Sequence, residues 1–430
     1  MLIFLIRRAK ITQKSIIQKD YLMKTNYKRL KLACYTTNIS MSVVGNLSPV
    51  LFLTFRSLYG ISYSLLGLLV LINFVTQLTI DLIFSFFSHK FNIAKTVKFT
   101  PLLTSIGLLL YALAPVIFPQ NIYLGLAVGT VVFSVSGGLS EVLISPVIAE
   151  IPAKDPDREM SKLHSIYAWG VVFVIIFSTI FLLLFKSQNW QILAFILMLV
   201  PIFSAILFAG TEIPPIETPE KATGALHLLG NRGVWLCVLA IFLGGAAECT
   251  MAQWASGYLE GALGIEKVWG DIFGVAIFSL MLGMGRTIYA KKGKNIENVL
   301  FLGALGASVC YVTAALSDMP VIGLIACALT GFCVSMLRPG SLIVASERFP
   351  QGGVFIFAMM AAGGDLGASI GPQLIGIITD AVAASPKLYE FALNISLSQE
   401  QLGMKLGMLV AAIFPICAIP VYHYLQKSKK

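Results

Sequence analysis

Five ionisable side chains lie well inside long apolar stretches of the sequence, where they are costly to keep and could carry chemistry. They are Asp81, Glu141, Glu248, Arg338 and Asp365. If all five faced hydrocarbon, their summed insertion cost would be on the order of 12–17 kcal/mol, comparable with the whole stability of a typical domain. We therefore expect most of them to face one another or water. Acids placed in this way are suited to binding and releasing protons.

Glu141 lies near the middle of the apolar run from about 122 to 151. Small and polar residues recur with it at i, i+4, i+7 and i+11, namely Ser134, Gly138, Glu141 and Ser145. This spacing places the acid on one narrow polar stripe of a helix whose other faces are apolar. Such a stripe is typical of a helix that lines a solute path. The alternative is a carboxylate that only holds helices together.

Arg338 stays charged at any relevant pH, so within an apolar stretch it needs a carboxylate partner or an anionic ligand. It lies 197 residues after Glu141, and Ser335 precedes it at the offset at which Gly138 precedes Glu141. The two stretches are predicted to be equivalent in a parallel repeat. We expect Arg338 and Glu141 to meet as a charge pair in one conformation. The alternative is that Arg338 holds an anionic solute.

The composition indicates an integral membrane protein. Of the 430 residues, 57% are hydrophobic and 12% are charged, whereas about a quarter of the residues of soluble domains are charged. The net charge of +10 could suggest nucleic acid, but the basic residues are divided among short loops, where membrane topology explains them better. The seven cysteines show no Cys-x-x-Cys spacing and no histidine cluster, so neither a metal site nor a cofactor is predicted.

Twelve apolar runs are long enough to cross about 30 Å of hydrocarbon. They cover residues 32–56, 62–87, 95–117, 121–150, 163–185, 190–209, 233–259, 268–289, 298–317, 319–345, 353–379 and 404–426. An all-α polytopic fold of twelve transmembrane helices is therefore predicted. Of the 31 Lys and Arg residues, 25 lie in the alternating segments that include both termini, 5 in the opposite segments, and Arg338 is the remaining one. This asymmetry predicts a plasma-membrane protein with both termini in the cytoplasm.

The longest polar segment between two runs divides the chain into six helices and six. The predicted parts are a basic cytoplasmic segment 1–31, a six-helix half 32–210, a cytoplasmic linker 211–232, a second six-helix half 233–426 and a cytoplasmic tail 427–430. Within the first part, residues 1–22 would be an upstream extension of the reading frame.

Short motifs occur in four of the runs. They are Gly137-Gly138-Leu139-Ser140-Glu141 with Ser145-Pro146 in the fourth, Gly244-Gly245-Ala246-Ala247-Glu248-Cys249-Thr250 with Trp254 and Tyr258 in the seventh, Gly331 with Ser335 and Pro339 in the tenth, and Gly363-Gly364 with Gly371-Pro372 and Asp380 in the eleventh. In these motifs and in its general architecture the chain after Tyr27 resembles the major facilitator superfamily, and more narrowly its fucose-permease-like sugar:proton symporter branch. The resemblance implies the major facilitator fold.

The resemblance also implies roles for the ionisable residues. In that family the first, fourth, seventh and tenth helices line a central cavity, which would bring Glu141, Glu248 and Arg338 together and place Asp365 near their rim. Glu141, Glu248 and Asp365 are the predicted proton-coupling groups. Fucose-type symporters carry an aspartate in the first helix. This sequence differs from them because it has no acid between Asp20 and Asp81, a stretch that includes the whole first run.

Amide and aromatic side chains are suited to the hydroxyls and ring faces of sugars. We expect the solute to contact Asn73, Tyr167, Gln253, Trp254, Glu141, Glu248 and Arg338. Packing and interface belts are the alternative explanation for the aromatic residues. Asp81, near the end of the second run, and Arg286, in the Gly283–Lys294 loop motif after the eighth, are predicted to belong to a gate.

The sequence predicts a secondary active transporter that moves a small polar solute, a sugar or sugar-like compound, by alternating access with protons as the coupling ion. No Gly-x-x-x-x-Gly-Lys-Ser/Thr loop occurs, which argues against a self-contained ATP-driven pump. An exporter of amphiphilic compounds, including drugs, is the alternative within transport. From other classes, a membrane-embedded enzyme or a non-transporting receptor also stays open. The predicted partners are the solute, protons and the bilayer, without nucleic acid, and a monomer is expected to function.

The orientation can be tested by labelling single cysteines from outside intact cells, in a cysteine-free background. Ser385→Cys should react with an impermeant maleimide and Thr223→Cys should not, because the basic residues place them on opposite sides of the membrane. Strong external labelling at position 223 would overturn the helix count or the orientation.

Overall fold

The computed structural model is helical throughout most of its length. It describes residues 27–87, 90–152, 156–214, 216, 228–350 and 353–427. The predicted extension 1–22, the middle of the linker 211–232 and the last three residues of the tail 427–430 lie outside these ranges.

Twelve crossings, numbered α1 to α12, follow the predicted runs within a few residues at most ends. They are α1 (Lys28–Val50 and Phe52–Tyr59), α2 (Tyr63–Phe87), α3 (Ile93–Ala112), α4 (Ile122–Glu150), α5 (Pro156–Phe185), α6 (Trp190–Phe208), α7 (Arg232–Leu263), α8 (Lys267–Trp269, Gly270–Ala276 and Ile277–Lys292), α9 (Ile296–Leu316), α10 (Pro320–Val334 and Leu337–Arg348), α11 (Gly353–Ala383) and α12 (Gln399–Ala411 and Ile413–Lys427). A short helix, Pro386–Asn394, joins the last two. The prediction of an all-α, twelve-helix membrane protein is confirmed, with the bent α1 counted as one crossing.

Prolines explain the breaks in α1 and α10. Because proline has no N–H, each leaves the carbonyl four residues earlier without its helical donor. Pro49 precedes a bend of 46° in α1 and frees the carbonyl of Gly45, while Pro339 follows the break in α10 and frees the carbonyl of Ser335. Both carbonyls accept a hydrogen bond from a side chain of another helix.

The first six helices meet the last six through polar contacts at one end of the molecule, which we call the closed end. Arg56 of α1 pairs with Glu400 of α12 at 2.8 Å. Asp380, near the end of α11, accepts hydrogen bonds from the backbone N–H groups of Tyr63 (3.1 Å) and Ser64 (2.6 Å). These N–H groups belong to the first turn of α2, so a carboxylate from one set of helices caps a helix of the other.

A second polar contact at this end joins α5 to α8. Thr179 donates to Asp271 at 2.5 Å, and Asp271 also pairs with Lys267 at 3.2 Å. Asp271 lies in the π-helical turn Gly270–Ala276 and is completely buried. A buried carboxylate needs such partners to be stable. The contact therefore helps hold the two sets of helices together at the closed end.

The α2–α11 seam, the contact along these two helices, depends on glycine. At Gly376 a Cβ atom would collide with the carbonyl oxygen of Tyr63, whereas a Cβ at Gly283 of α8 would meet nothing within 4 Å.

We predict that Gly376→Val pushes the seam apart at the closed end, since overpacking of this kind costs about 1–3 kcal/mol. A cysteine introduced at Ser64 in a cysteine-free background should then react several-fold faster with a maleimide. Gly283→Val is the matched control and should leave that rate unchanged. Equal rates in both variants would contradict the role of Gly376 in closure.

Candidate functional site

Helix α4 packs against α2 through the small residues of its polar stripe. The backbone of Gly138 lies so close to the backbone oxygen of Gln77 that a Cβ atom would collide with it. Ser134 donates to Asn73 at 2.6 Å, and Gln77 donates to the same amide oxygen at 2.7 Å. Asn73 is buried in this contact. Its side chain therefore holds α2 to α4 in this conformation, and the predicted contact with the solute stays a prediction.

Glu141 of α4 and Tyr167 of α5 are exposed residues that lie near the other set of helices. Both side chains are solvent-exposed, Tyr167 to 38%. Both are nevertheless within electrostatic range of Arg338 on α10, in the other set of helices. We infer that their exposed surfaces face a space between the two sets of helices and not lipid, and we call this space the cavity. The stripe thus serves two purposes, since Ser134 packs against α2 and Glu141 faces the cavity.

Arg338 pairs with Asp365 in this conformation. Its Nη2 atom donates to the carboxylate of Asp365 at 2.9 Å, and Gly364 leaves room for the guanidinium beside α11. Arg338 keeps a 26% exposed side chain, while that of Asp365 is 7% exposed. The expected pair with Glu141 is not formed here, although Glu141 lies within electrostatic range.

Glu248 and Arg286 form the second ion pair of the site. The Nη2 atom of Arg286 lies 3.0 and 3.2 Å from the two carboxylate oxygens of Glu248. Its Nε atom donates to the Ser335 carbonyl at 3.0 Å, the carbonyl that Pro339 leaves without a donor. Arg286, predicted for a gate, thus joins the predicted coupling residue Glu248 to the break in α10.

Gln253 and Trp254 lie where α7 meets α1 and α11. Gln253 donates through Nε2 to the Gly45 carbonyl at 3.3 Å, and its Oε1 atom is buried with no donor among the described residues. Trp254 is completely buried, its ring lies 5.1 Å from that of Phe52, and its N–H donates to the Pro372 carbonyl at 2.8 Å. In this conformation both predicted solute contacts close the cavity towards the closed end.

Asp81 is the fourth acid near this cavity and is 7% exposed. It is within electrostatic range of Glu141 and Asp365. Its Oδ1 atom has no hydrogen-bond donor in the described part of the chain. Of these four acids, Glu248 is paired with Arg286 and Asp365 with Arg338, while Glu141 and Asp81 form no ion pair with a described cation.

Sequence reasoning missed Asp271 as a residue joining the two sets of helices. It lies four residues after Lys267 at the start of the eighth run, a spacing that suits a local i, i+4 pair. That pair is present, but Thr179 of α5 also donates to Asp271. The available signal was the position of Asp271, an acid that lies near a lysine at the start of an apolar run.

The sequence profile of the major facilitator superfamily matches residues 33–372. No curated protein matches the chain by sequence.

Solved transporter structures share its fold. A nucleoside transporter is 11% identical with a TM-score of 0.70, covering 92% of this chain and 99% of its own. A D-xylose–proton symporter is 14% identical with a TM-score of 0.68, covering 93% and 99%. The fucose:proton symporter of E. coli is 14% identical with a TM-score of 0.56, covering 92% and 99%.

At these identities the structural likeness shows the fold alone, and the matched profile shows the family. The profile covers more than three quarters of the chain, from α1 to the middle of α11. The chain therefore belongs to the major facilitator superfamily, whose members are membrane transporters that work by alternating access.

Proposed function

We propose that this protein is a proton-coupled secondary active transporter of a small polar solute, a sugar or sugar-like compound. Its proposed location is the plasma membrane, with both termini in the cytoplasm, and its proposed functional unit is the monomer. The observation that carries the proposal is Glu141, an acid without a described cation that reaches water inside the cavity. A group in that position can take up and release a proton without breaking an ion pair.

Protonation of Glu141 links the proton to the solute. As a carboxylate, Glu141 can only accept hydrogen bonds, and it adds negative charge near Asp365. As a protonated acid it can also donate to a hydroxyl, and that repulsion disappears. Tyr167, which shares the cavity, supplies a phenol and a ring face for a sugar. The protonated site is therefore the better partner for a neutral polyol.

The charge balance of the cavity favours a neutral solute over an anionic one. Arg338 already donates to Asp365, and Arg286 already donates to Glu248. Glu141 adds a negative charge when it is ionised. An anionic solute would have to displace a carboxylate from one of the two arginines and lie near Glu141. This balance supports a neutral sugar more than a sugar acid.

Alternating access follows from the contacts of the closed end. That end is held shut by the hydrogen bonds from the start of α2 to Asp380 and by the Arg56–Glu400 ion pair. The side chains of Glu141 and Tyr167 are accessible. With the proposed orientation, this conformation presents the cavity to the cytoplasm. Uptake then ends with release of solute and proton into the cell.

An exporter of amphiphilic compounds is the second candidate, and one feature favours it. A cleft of about 600 Å³ between α1, α5 and α6 has an almost wholly apolar lining that includes Trp169, Phe173 and Phe203. Amphiphiles enter such clefts from the bilayer more readily than sugars do. Two measurements in proteoliposomes distinguish the candidates. Efflux of a cationic dye would support the exporter, and uptake of labelled monosaccharides would support the sugar transporter.

We predict that Glu141→Gln abolishes pH-driven accumulation of labelled neutral monosaccharides in proteoliposomes but keeps counterflow. The accumulation ratio should fall to about 1, because an amide cannot carry a titrating proton. Glu150→Gln is the matched control, since Glu150 is an exposed acid at the end of the same helix. Accumulation by Glu141→Gln equal to that of this control would place the coupling group elsewhere.

Removing one partner of the Arg338–Asp365 pair should be costly. Arg338→Met is predicted to destabilise the protein by about 3–5 kcal/mol, because it leaves a buried carboxylate without its cation. Thermal unfolding in detergent measures this loss. Adding Asp365→Asn should restore most of it, whereas adding Glu141→Gln should not. The opposite pattern of rescue would make Glu141 the partner on which stability depends.

A further inference from the structure

We infer that Asp81 is a second proton-binding site, enclosed in the α2–α11 seam and distinct from the Glu141 site in the cavity. Its role in transport rests on the proton coupling proposed above, but the bound proton itself does not. The sequence suggests only a gate residue at this position. Three observations point to the proton: the enclosure of Asp81, its lack of partners, and the sign of its neighbours.

The enclosure is evident from the burial of the side chain. Asp81 is 7% exposed, and its Oδ1 atom is inaccessible to water and has no hydrogen-bond donor among the described residues. No cation of the described residues lies within ion-pair distance of it. An ionised carboxylate withdrawn from water in this way is strongly unfavourable unless it is paired and hydrogen-bonded. A protonated carboxyl group avoids that penalty.

The neighbouring charges act in the same direction. Among the described residues, Glu141 on α4 and Asp365 on α11 lie in electrostatic range of Asp81, and both are acids. Arg338 on α10 does not reach Asp81 with a hydrogen bond but donates to Asp365. Three carboxyl groups therefore share this region with one guanidinium, and like charges at short range cannot all be ionised together. Asp81 and Asp365 are both buried, but only Asp365 is paired with a cation of the described residues, so Asp81 keeps the proton.

The position of Asp81 relates this proton to the conformational cycle. The α2–α11 seam is fixed at the closed end because Asp380 of α11 accepts hydrogen bonds from the first turn of α2. Asp81 lies on α2 fewer than two turns before its opposite end. Rocking of α11 against α2 changes the exposure of Asp81 to water. Glu141 exchanges its proton with the cavity in this conformation, and Asp81 exchanges its proton when the seam parts at its own depth.

Infrared spectroscopy of the full-length protein in lipid vesicles at neutral pH tests the inference directly. Asp81→Asn should remove intensity from the band of protonated carboxyl groups and leave the carboxylate band unchanged. Asp365→Asn is the matched control and should remove carboxylate intensity, since Asp365 is paired with Arg338. Loss of carboxylate intensity in Asp81→Asn would overturn the inference. Should this variant fail to fold, the unmodified chain can be prepared with isotope-labelled aspartate. The label should then shift the band of protonated carboxyl groups.

The pH dependence of thermal stability is an independent measurement. At neutral pH the unfolded chain releases the proton of Asp81 and the folded chain keeps it, so the unfolded state binds fewer protons and stability falls as the pH rises. The fall from mildly acidic to mildly alkaline pH should be shallower in Asp81→Asn than in the unmodified protein. Identical slopes would contradict the inference. Neither measurement requires a solute. A failure of the proposed sugar transport would therefore not change either result.

Discussion

The structure depends on the cost of placing charge in hydrocarbon. Every ionisable group that the sequence carries at mid-membrane depth must find a counter-charge, water or a proton. Arg286 neutralises Glu248, and Arg338 neutralises Asp365. Glu141 is exposed to water, whereas Asp81 is buried and has no ion-pair partner among the described residues. The acids are thus stabilised in different ways, and this difference is the basis for proposing Glu141 and Asp81 as the groups that exchange protons.

The same constraint applies to the backbone. A carbonyl that proline leaves without a donor is as poorly tolerated in a bilayer as an unpaired side chain. In α1 the carbonyl of Gly45 is satisfied by Gln253, and in α10 that of Ser335 is satisfied by Arg286. The two breaks are therefore stabilised by other helices and not by their own. Bent helices of this kind change shape at little cost if the outside donor moves with them.

Much of the fold was predictable from sequence, because twelve long apolar runs separated by polar loops leave few alternatives. The polar stripe of α4 predicted that Glu141 lines a solute path, and that role stays a prediction. The ion pairs were not predictable, because Arg286 and Glu248 are 38 residues apart and Arg338 and Asp365 are 27 apart. Which acid an arginine reaches depends on helix packing and side-chain length. The division into halves 32–210 and 233–426 stays a prediction that these contacts do not decide.

The hydrogen bond from Gln253 to the Gly45 carbonyl joins helices of opposite sets at the level of the cavity. If α1 and α7 move apart, it breaks, and two groups lose their partner at the same moment: a carbonyl acceptor on one wall and an amide donor on the other. The Oε1 atom of Gln253 already has no donor in the described part of the chain. A molecule with adjacent hydroxyl groups can satisfy all three atoms by donating twice and accepting once. Separation of the walls thus creates a vacancy with the hydrogen-bonding pattern of a polyol, and filling it replaces the contact that separation removed.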